Sequence, residues 1–266
     1  MNIIVCIKQV PETTDVRIDP GTNTLIREGV KSIINPFDMY AIEEALRLKE
    51  RAGGEVTVLT MGPPQAESAL REAIGLGSDK GILLSDRAFA GADTLATSYT
   101  LARAIKKLGD FNLIICGKQA SDGDTAQVGP GISVHLNIPQ ITYVKKIEEI
   151  NKDFIRAERM TEHGFEIIKS PLPCLLTVVK EINEPRISSL KGMLRAKKAE
   201  IIKWSSKDLP VEPDRIGLEG SPTQVVRIFT PPSREAGEIF SGEIHEAVDK
   251  LVEVLKKDVF ICHPAA

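Results

Sequence analysis

The 266-residue chain is long enough for one large domain, or for one domain with an appendage. Its 42% hydrophobic and 27% charged residues are those of a soluble globular protein. A net charge of −3 argues against a nucleic-acid partner, and no apolar run is long enough to span a bilayer. Met1-Asn2 leads straight into Ile3-Ile4-Val5-Cys6-Ile7 with no basic n-region, so no signal peptide is expected. Cys6, Cys116, Cys174 and Cys262 lie far apart, three of them in apolar strand-like runs. They read as small buried hydrophobes of a reducing compartment, which makes the cytoplasm the expected location.

Taken in order, residues 2–8 form a first apolar strand, followed by the polar loop Pro11-Glu12-Thr13-Thr14-Asp15. Asn35-Pro36-Phe37-Asp38 is a helix start: Asn35 is the candidate N-cap, Pro36 takes the first helical position and Asp38 adds charge to the first turn. This helix buries Ile42, Ala45 and Leu46 and stops at Gly53-Gly54. A strand over 55–61, a helix over about 65–74 and a short strand over 81–84 follow. Asp93 caps a third helix with Leu95, Tyr99, Ala102 and Ile105 on one face, and residues 112–116 form the next buried strand. Strands alternating with helices through short loops predict right-handed βαβ units and a parallel sheet covered on both faces.

After residue 139 the pattern changes. Residues 141–144, 153–160 and 165–169 read as strands, the last two joined by a turn around Glu162-His163-Gly164, and 174–179 is a further apolar strand. Residues 205–235 hold prolines at 210, 213, 222, 231 and 232 and read as an arm lying on another surface. A final amphipathic helix over about 241–257 carries Ile244, Val248, Leu251 and Leu255 on one side, an apolar stripe that calls for a covering partner.

The richest stretch is GKQASDGDTAQVGP, residues 117–130, between the 112–116 strand and a helical pattern of Val128, Ile132 and Leu136. Such a loop is where α/β sheets bind ligands, and unpaired N–H groups at the helix start favour phosphate. Gly117, Gly123 and Gly129 let the backbone approach a ligand or take positive φ. Asp124 is the candidate helix cap, Thr125 offers a hydroxyl to phosphate, and Asp122 and Gln127 suit ribose or base. An ordinary capped loop accounts for the Gly and Asp, but less well for Lys, Gln, Ser, Thr and two Asp together. Asp122 and Asp124 also admit reading as a Mg²⁺ pair. The four histidines are scattered without ligand spacing, and neither a Walker A loop nor a GxGxxG fingerprint is present.

Three stretches together resemble the β subunit of electron transfer flavoproteins: GKQASDGDTAQVGP, the Asn35-Pro36-Phe37 start with AIEEALRLKE, and NEPRISSLKGMLRAKK at 183–198. The resemblance covers residues 1 to about 204 in the expected order. It implies an α/β fold with a parallel-sheet, adenine-nucleotide α-hydrolase-like (Rossmann-like) core over 1–183. A dehydrogenase recognition loop over 184–199 follows, then a C-terminal arm and helix over 200–266 that wrap an FAD-carrying α subunit.

In that family the β subunit holds structural AMP or a second FAD. The DGDTAQVGP loop and GADTLATSY at 91–99 resemble the FAD type found in electron-bifurcating members. The implied function is electron uptake from NAD(H) at a β-bound FAD, with delivery to ferredoxin or flavodoxin and, through the α subunit, to an acyl-CoA dehydrogenase. No side chain need act as acid, base or nucleophile. Expected cofactor contacts are Cys6 and Met61 in the first two strands, Asn35, Phe37 and Asp38 at the first helix start, and Asp93, Thr94, Ala96 and Thr97 at the third helix. The long loop adds Gly117, Gln119, Asp122, Gly123, Asp124, Thr125, Ala126, Gln127 and Val128. Leu190, Met193 and Arg195 are the expected partner contacts, with Leu190 near the tip of an exposed loop because Pro185 and Gly192 discourage a long helix. A non-bifurcating AMP carrier and a nucleotide-binding regulatory protein are the other readings.

Overall fold

The computed structural model describes residues 1–12, 17–18, 25–26, 32–226, 237 and 239–257. The expected loop residues Thr13 to Asp15, together with Pro231, Pro232, Cys262 and His263, lie outside them. Two units are distinguished, Met1–Ile228 and Phe229–Ala266. In the second, α6 (Ile244–Lys257) forms as the periodicity predicts, with Ile244, Val248 and Leu251 all exposed.

The first unit begins with β1 (Asn2–Cys6), whose burial is continuous after Asn2. Short strands β2 (Gln9–Pro11), β3 (Arg17–Ile18), β4 (Leu25–Ile26) and β5 (Ser32–Ile34) pair as β2–β5 and β3–β4 antiparallel ladders between β1 and the first helix. Then come α1 (Pro36–Ala52), β6 (Glu55–Met61), α2 (Glu67–Leu76), β7 (Lys80–Leu84), α3 (Thr94–Leu108), β8 (Leu113–Gly117) and α4 (Val128–Leu136). β9 (Gln140–Ile150), β10 (Phe154–Thr161), β11 (Gly164–Pro171) and β12 (Cys174–Val178) precede α5 (Leu190–Lys198) and β13 (Ile201–Trp204).

One nine-stranded sheet runs β11-β10-β9-β12-β8-β1-β6-β7-β13. Seven strands from β9 to β13 in that order are parallel, and β10 and β11 extend the edge antiparallel. The parallel strands are apolar on both sides because helices cover both faces. One core cluster joins them to α1, α2 and Ala196 of α5, the other to α3, Ile132 of α4, Leu209 and Ile216. This is the Rossmann-like α/β architecture the sequence predicts.

Two expectations change downstream. Residues 201–221 do not leave the core: β13 pairs in register with β7, and Leu209, Ile216 and Ser221 are buried. Proline-rich composition marked this stretch as irregular, but the sheet edge and α3 supply the surface it packs on. Leu190 is likewise not at a loop tip but is the first residue of α5, with the Ser189 side chain accepting from Gly192 N. Gly192 sits inside that helix because α5 crosses α2 closely: a Cβ there would stand 2.1 Å from the Gly75 carbonyl oxygen. Arg71 of α2 donates to the Ala196 and Ala199 carbonyls at 2.8 and 3.0 Å, and Arg195 of α5 donates to the Ile74 and Ser78 carbonyls. Each arginine thus serves the C-terminal carbonyls of the other helix.

Candidate nucleotide site at the sheet switch point

The chain runs from β1 to β6 and β7 on one side, then returns through α3 to β8 on the other side of β1. The crevice beyond the carboxyl ends of β1 and β8 is therefore the topological switch point, where open α/β sheets take ligands. Cys6 and Cys116 stand side by side there in register. The Cys6 thiol, followed by burial, pushes the Cys116 thiol well above its usual range, so it is neutral at physiological pH.

Asp38, on the first turn of α1, bridges the crevice. Its Oδ2 accepts from Lys8 N at 2.7 Å, just after β1, and its Oδ1 accepts from Gly117 N at 3.2 Å, at the end of β8. Burial pushes this carboxyl up to about 7, while bonds from Lys8, Asn35 and Gly117 pull it back. Asn35 makes no cap bond to α1. Its side chain instead donates to the Gln119 carbonyl and accepts from Ser121 N, at 2.8 and 3.0 Å. The two residues expected to begin a helix therefore also anchor the start of the 117–130 loop.

Of the two roles expected of the loop's glycines, positive φ is not the one they take. None of Gly117, Gly123 and Gly129 has positive φ; Asp124 and Ala126 do, at 52° and 53°. A Cβ on Gly117 would meet Asp38 Oδ1 at 2.3 Å, and one on Gly129 would meet Thr177 Cγ2 at 2.7 Å. Gly117 and Gly129 thus allow α1 and α4 to pack against β8 and β12. Asp124 does not cap α4, which starts four residues later behind Gln127 with no side-chain cap. Asp124 accepts instead from Gln119 Nε2, and Asp122 accepts from Lys8 Nζ at 2.7 Å.

The two left-handed residues splay the backbone, and among the described residues the N–H groups of Thr125, Ala126, Gln127, Val128 and Gly129 meet no acceptor. Five adjacent unpaired donors at the start of a helix suit an anionic oxygen cluster. The start of α3 differs. Asp93 Oδ1 accepts from Leu95 N and Ala96 N, and Thr97 N donates to the Asp93 carbonyl, leaving only Thr94 N free in that turn. Thr94 Oγ1 donates to Gln127 Oε1 at 2.9 Å and joins the two loops. The donor set fits a phosphate-bearing nucleotide, with α4 offering the backbone groups and α3 the hydroxyl of Thr97. Phe37, in the first turn of α1, and Met61, at the end of β6, are half-buried.

Ser221 and Thr223, which reach Asp93 from far along the chain, were not legible in the sequence. Among the described residues no group of three or more His, Cys, Asp or Glu side chains could hold a metal, and no helix is long and apolar enough to cross a membrane.

The expected partner residues lie away from this crevice. Leu190 and Met193 are exposed on α5 at 71% and 47%, with Ile187 at 94% and Leu194 at 53% nearby. The segment before α5 is tied to α1. Asn183 Nδ2 donates to the Tyr40 carbonyl and Glu44 Oε2, and Arg186 spans Glu43 and Glu50.

Comparison with known proteins matches residues 22–209 to the electron transfer flavoprotein domain. The chain is 56% identical to the electron transfer flavoprotein subunit beta of Thermoanaerobacterium thermosaccharolyticum, over 96% of this chain and 98% of that one. It is 51% identical to the caffeyl-CoA reductase-Etf complex subunit CarD of Acetobacterium woodii, over 97% and 98% of the two chains. It is also 47% identical to protein FixA of Bradyrhizobium diazoefficiens, over 99% and 93%. With that extent of identity along a matching α/β core, the chain belongs to the electron transfer flavoprotein family as a β subunit.

Proposed function

We propose that this β subunit pairs with an electron transfer flavoprotein α subunit and holds FAD in the β1–β8 crevice, where electrons from NADH enter and are divided. The observation that carries the reading is the run of unpaired N–H groups from Thr125 to Gly129 beside the Thr94–Gln127 bond. The chemistry supplied by bound FAD is hydride acceptance from NADH and one-electron delivery, to ferredoxin or flavodoxin and through the α-subunit FAD to an acyl-CoA dehydrogenase.

The chain's own residues bind and orient. The N–H groups of 125–129 and the positive end of α4 hold phosphate, and the Thr125 and Thr97 hydroxyls add donors. Asp122, held by Lys8, and Gln127, held by Thr94, face ribose or base. Asp38 and Asn35 brace the loop from beneath, and Cys6, Met61 and Phe37 wall the crevice. Leu190 and Met193 present an apolar docking face for the dehydrogenase, an arrangement suited to a hot spot. Arg195, bonded to α2, fixes the angle of that face.

The test is the nucleotide content of the purified heterodimer: two flavins support the reading, whereas one flavin and one AMP overturn it. Replacing Thr125 with Val and Asp122 with Ala should each weaken flavin retention in the β site by about 1–3 kcal/mol, roughly tenfold or more. Unchanged retention in the double variant would remove the site from this loop.

A further inference from the structure

Asp93 is held by more than its helix requires. A cap needs one side-chain oxygen, and Asp93 Oδ1 fills that role for Leu95 N and Ala96 N. The other oxygen accepts from Thr223 N at 3.1 Å and Thr223 Oγ1 at 2.8 Å. The backbone N–H of Asp93 donates to Ser221 Oγ at 2.8 Å, and that hydroxyl donates to the Gly217 carbonyl at 2.7 Å. Partners 128 and 130 residues away therefore grip both the backbone and the carboxylate of one residue.

The strap carrying those partners is packed along the loop that leads into α3. Ile216 and Ser221 are buried. A Cβ on Gly217, at φ 58°, would stand 2.1 Å from the Ala88 carbonyl oxygen, and one on Gly91, at φ 73°, would stand 3.2 Å from Leu218 Cβ. Gly91 is a conformationally free joint two residues before Asp93, so the cap alone does not determine where the first turn of α3 sits. The strap does, and the next residue, Thr94, makes the bond to Gln127 at the start of α4.

We propose that Ser221 and Thr223 are positioning residues of the nucleotide site, holding the start of α3, through Asp93, where Thr94 meets Gln127. The inference rests on the nucleotide reading above. Neither hydroxyl needs to touch the nucleotide. Losing the tether frees the 91–94 turn, breaks the link between the two loops and leaves the donors at α4 less well organised.

The experiment uses the heterodimer stripped of its β-site nucleotide and titrated with FAD and with AMP. The wild type is compared with Thr223→Val, Thr223→Ser, Ser221→Ala and, as a site control, Thr125→Val. Hydrogen exchange of the Leu95 and Ala96 amides is followed in each. Thr223→Val should bind the nucleotide about tenfold more weakly and exchange those two amides faster than the middle of α3, and Thr223→Ser should restore both. Ser221→Ala should weaken binding in the same direction, and it stands in if Thr223→Val does not assemble. Wild-type affinity in both strap variants, or a Ser variant as weak as Val, overturns the inference while Thr125→Val still reports the site. If the wild type binds neither FAD nor AMP, the nucleotide reading and this inference fall together.

Discussion

Gly192 is the position where structure and local propensity disagree most sharply. It is the third residue of α5, where Gly→Ala ordinarily stabilises a helix by up to about 1 kcal/mol. Here the added methyl would stand 2.1 Å from the Gly75 carbonyl oxygen. A carbon rests about 3.3 Å or more from such an oxygen, so α5 must retreat from α2 by about 1 Å. That movement stretches the Arg71 bonds to the Ala196 and Ala199 carbonyls, now 2.8 and 3.0 Å, beyond useful hydrogen-bond range. Overpacking of this kind costs about 1–3 kcal/mol, which for a chain of this size lowers Tm by about 2–4 °C per kcal/mol. Gly75→Ala on the facing helix is the control, since its Cβ would stand 3.3 Å from Ser188 Oγ, an atom free to rotate aside. Thermal unfolding of the heterodimer, followed by circular dichroism, should show Gly192→Ala clearly destabilised and Gly75→Ala within about 1 kcal/mol of wild type. A Gly192→Ala variant as stable as wild type, or more so, would refute the close α2–α5 crossing.

Arg186→Met should destabilise the fold by about 1–3 kcal/mol, because it strips charge-assisted bonds from the buried Glu43 carboxylate while Arg47 remains. Burial alone would raise Glu43, but Arg186 and Arg47 outweigh it and hold the carboxyl below its usual 4.5. Its stabilisation is therefore present above pH 4.5 and lost as the pH falls through the lower folded value, so the acid limb of a Tm–pH series should flatten in the variant. Asp38 has the opposite sign. With its folded value raised from 3.8 to about 7, the fold binds this proton more tightly than the unfolded chain. Stability should rise by about 4 kcal/mol as the pH falls from above 7 towards 3.8, and Asp38→Asn should abolish that slope in the same series. Leu190→Ala should slow electron delivery to the dehydrogenase roughly tenfold and leave flavin reduction by NADH untouched, as read by stopped-flow of the two half-reactions. A slowed flavin reduction instead would dissociate α5 from docking.

What the sequence determined by itself is whatever depends on neighbours along the chain. The buried strands β1, β6, β8 and β12 are short apolar runs between turn signals, and the Asp93 cap acts only two and three residues ahead. The richness of the 117–130 loop and its place after a buried strand were equally local. Tertiary structure decided what those residues do. Gly117, Gly129 and Gly192 are glycines because another backbone or side chain comes close, and the sequence carries no trace of that approach. Asp124 looked like the cap of α4, but two left-handed residues move the helix start to Val128 and leave the intervening donors open. Residues 205–221 read as an arm because prolines suppress local periodicity; burial of Leu209, Ile216 and Ser221 comes from a surface assembled from β7 and α3. Hydrogen bonds such as Ser221 to Asp93, closed across more than a hundred residues, depend on the sheet having formed and leave no pattern in the residues between.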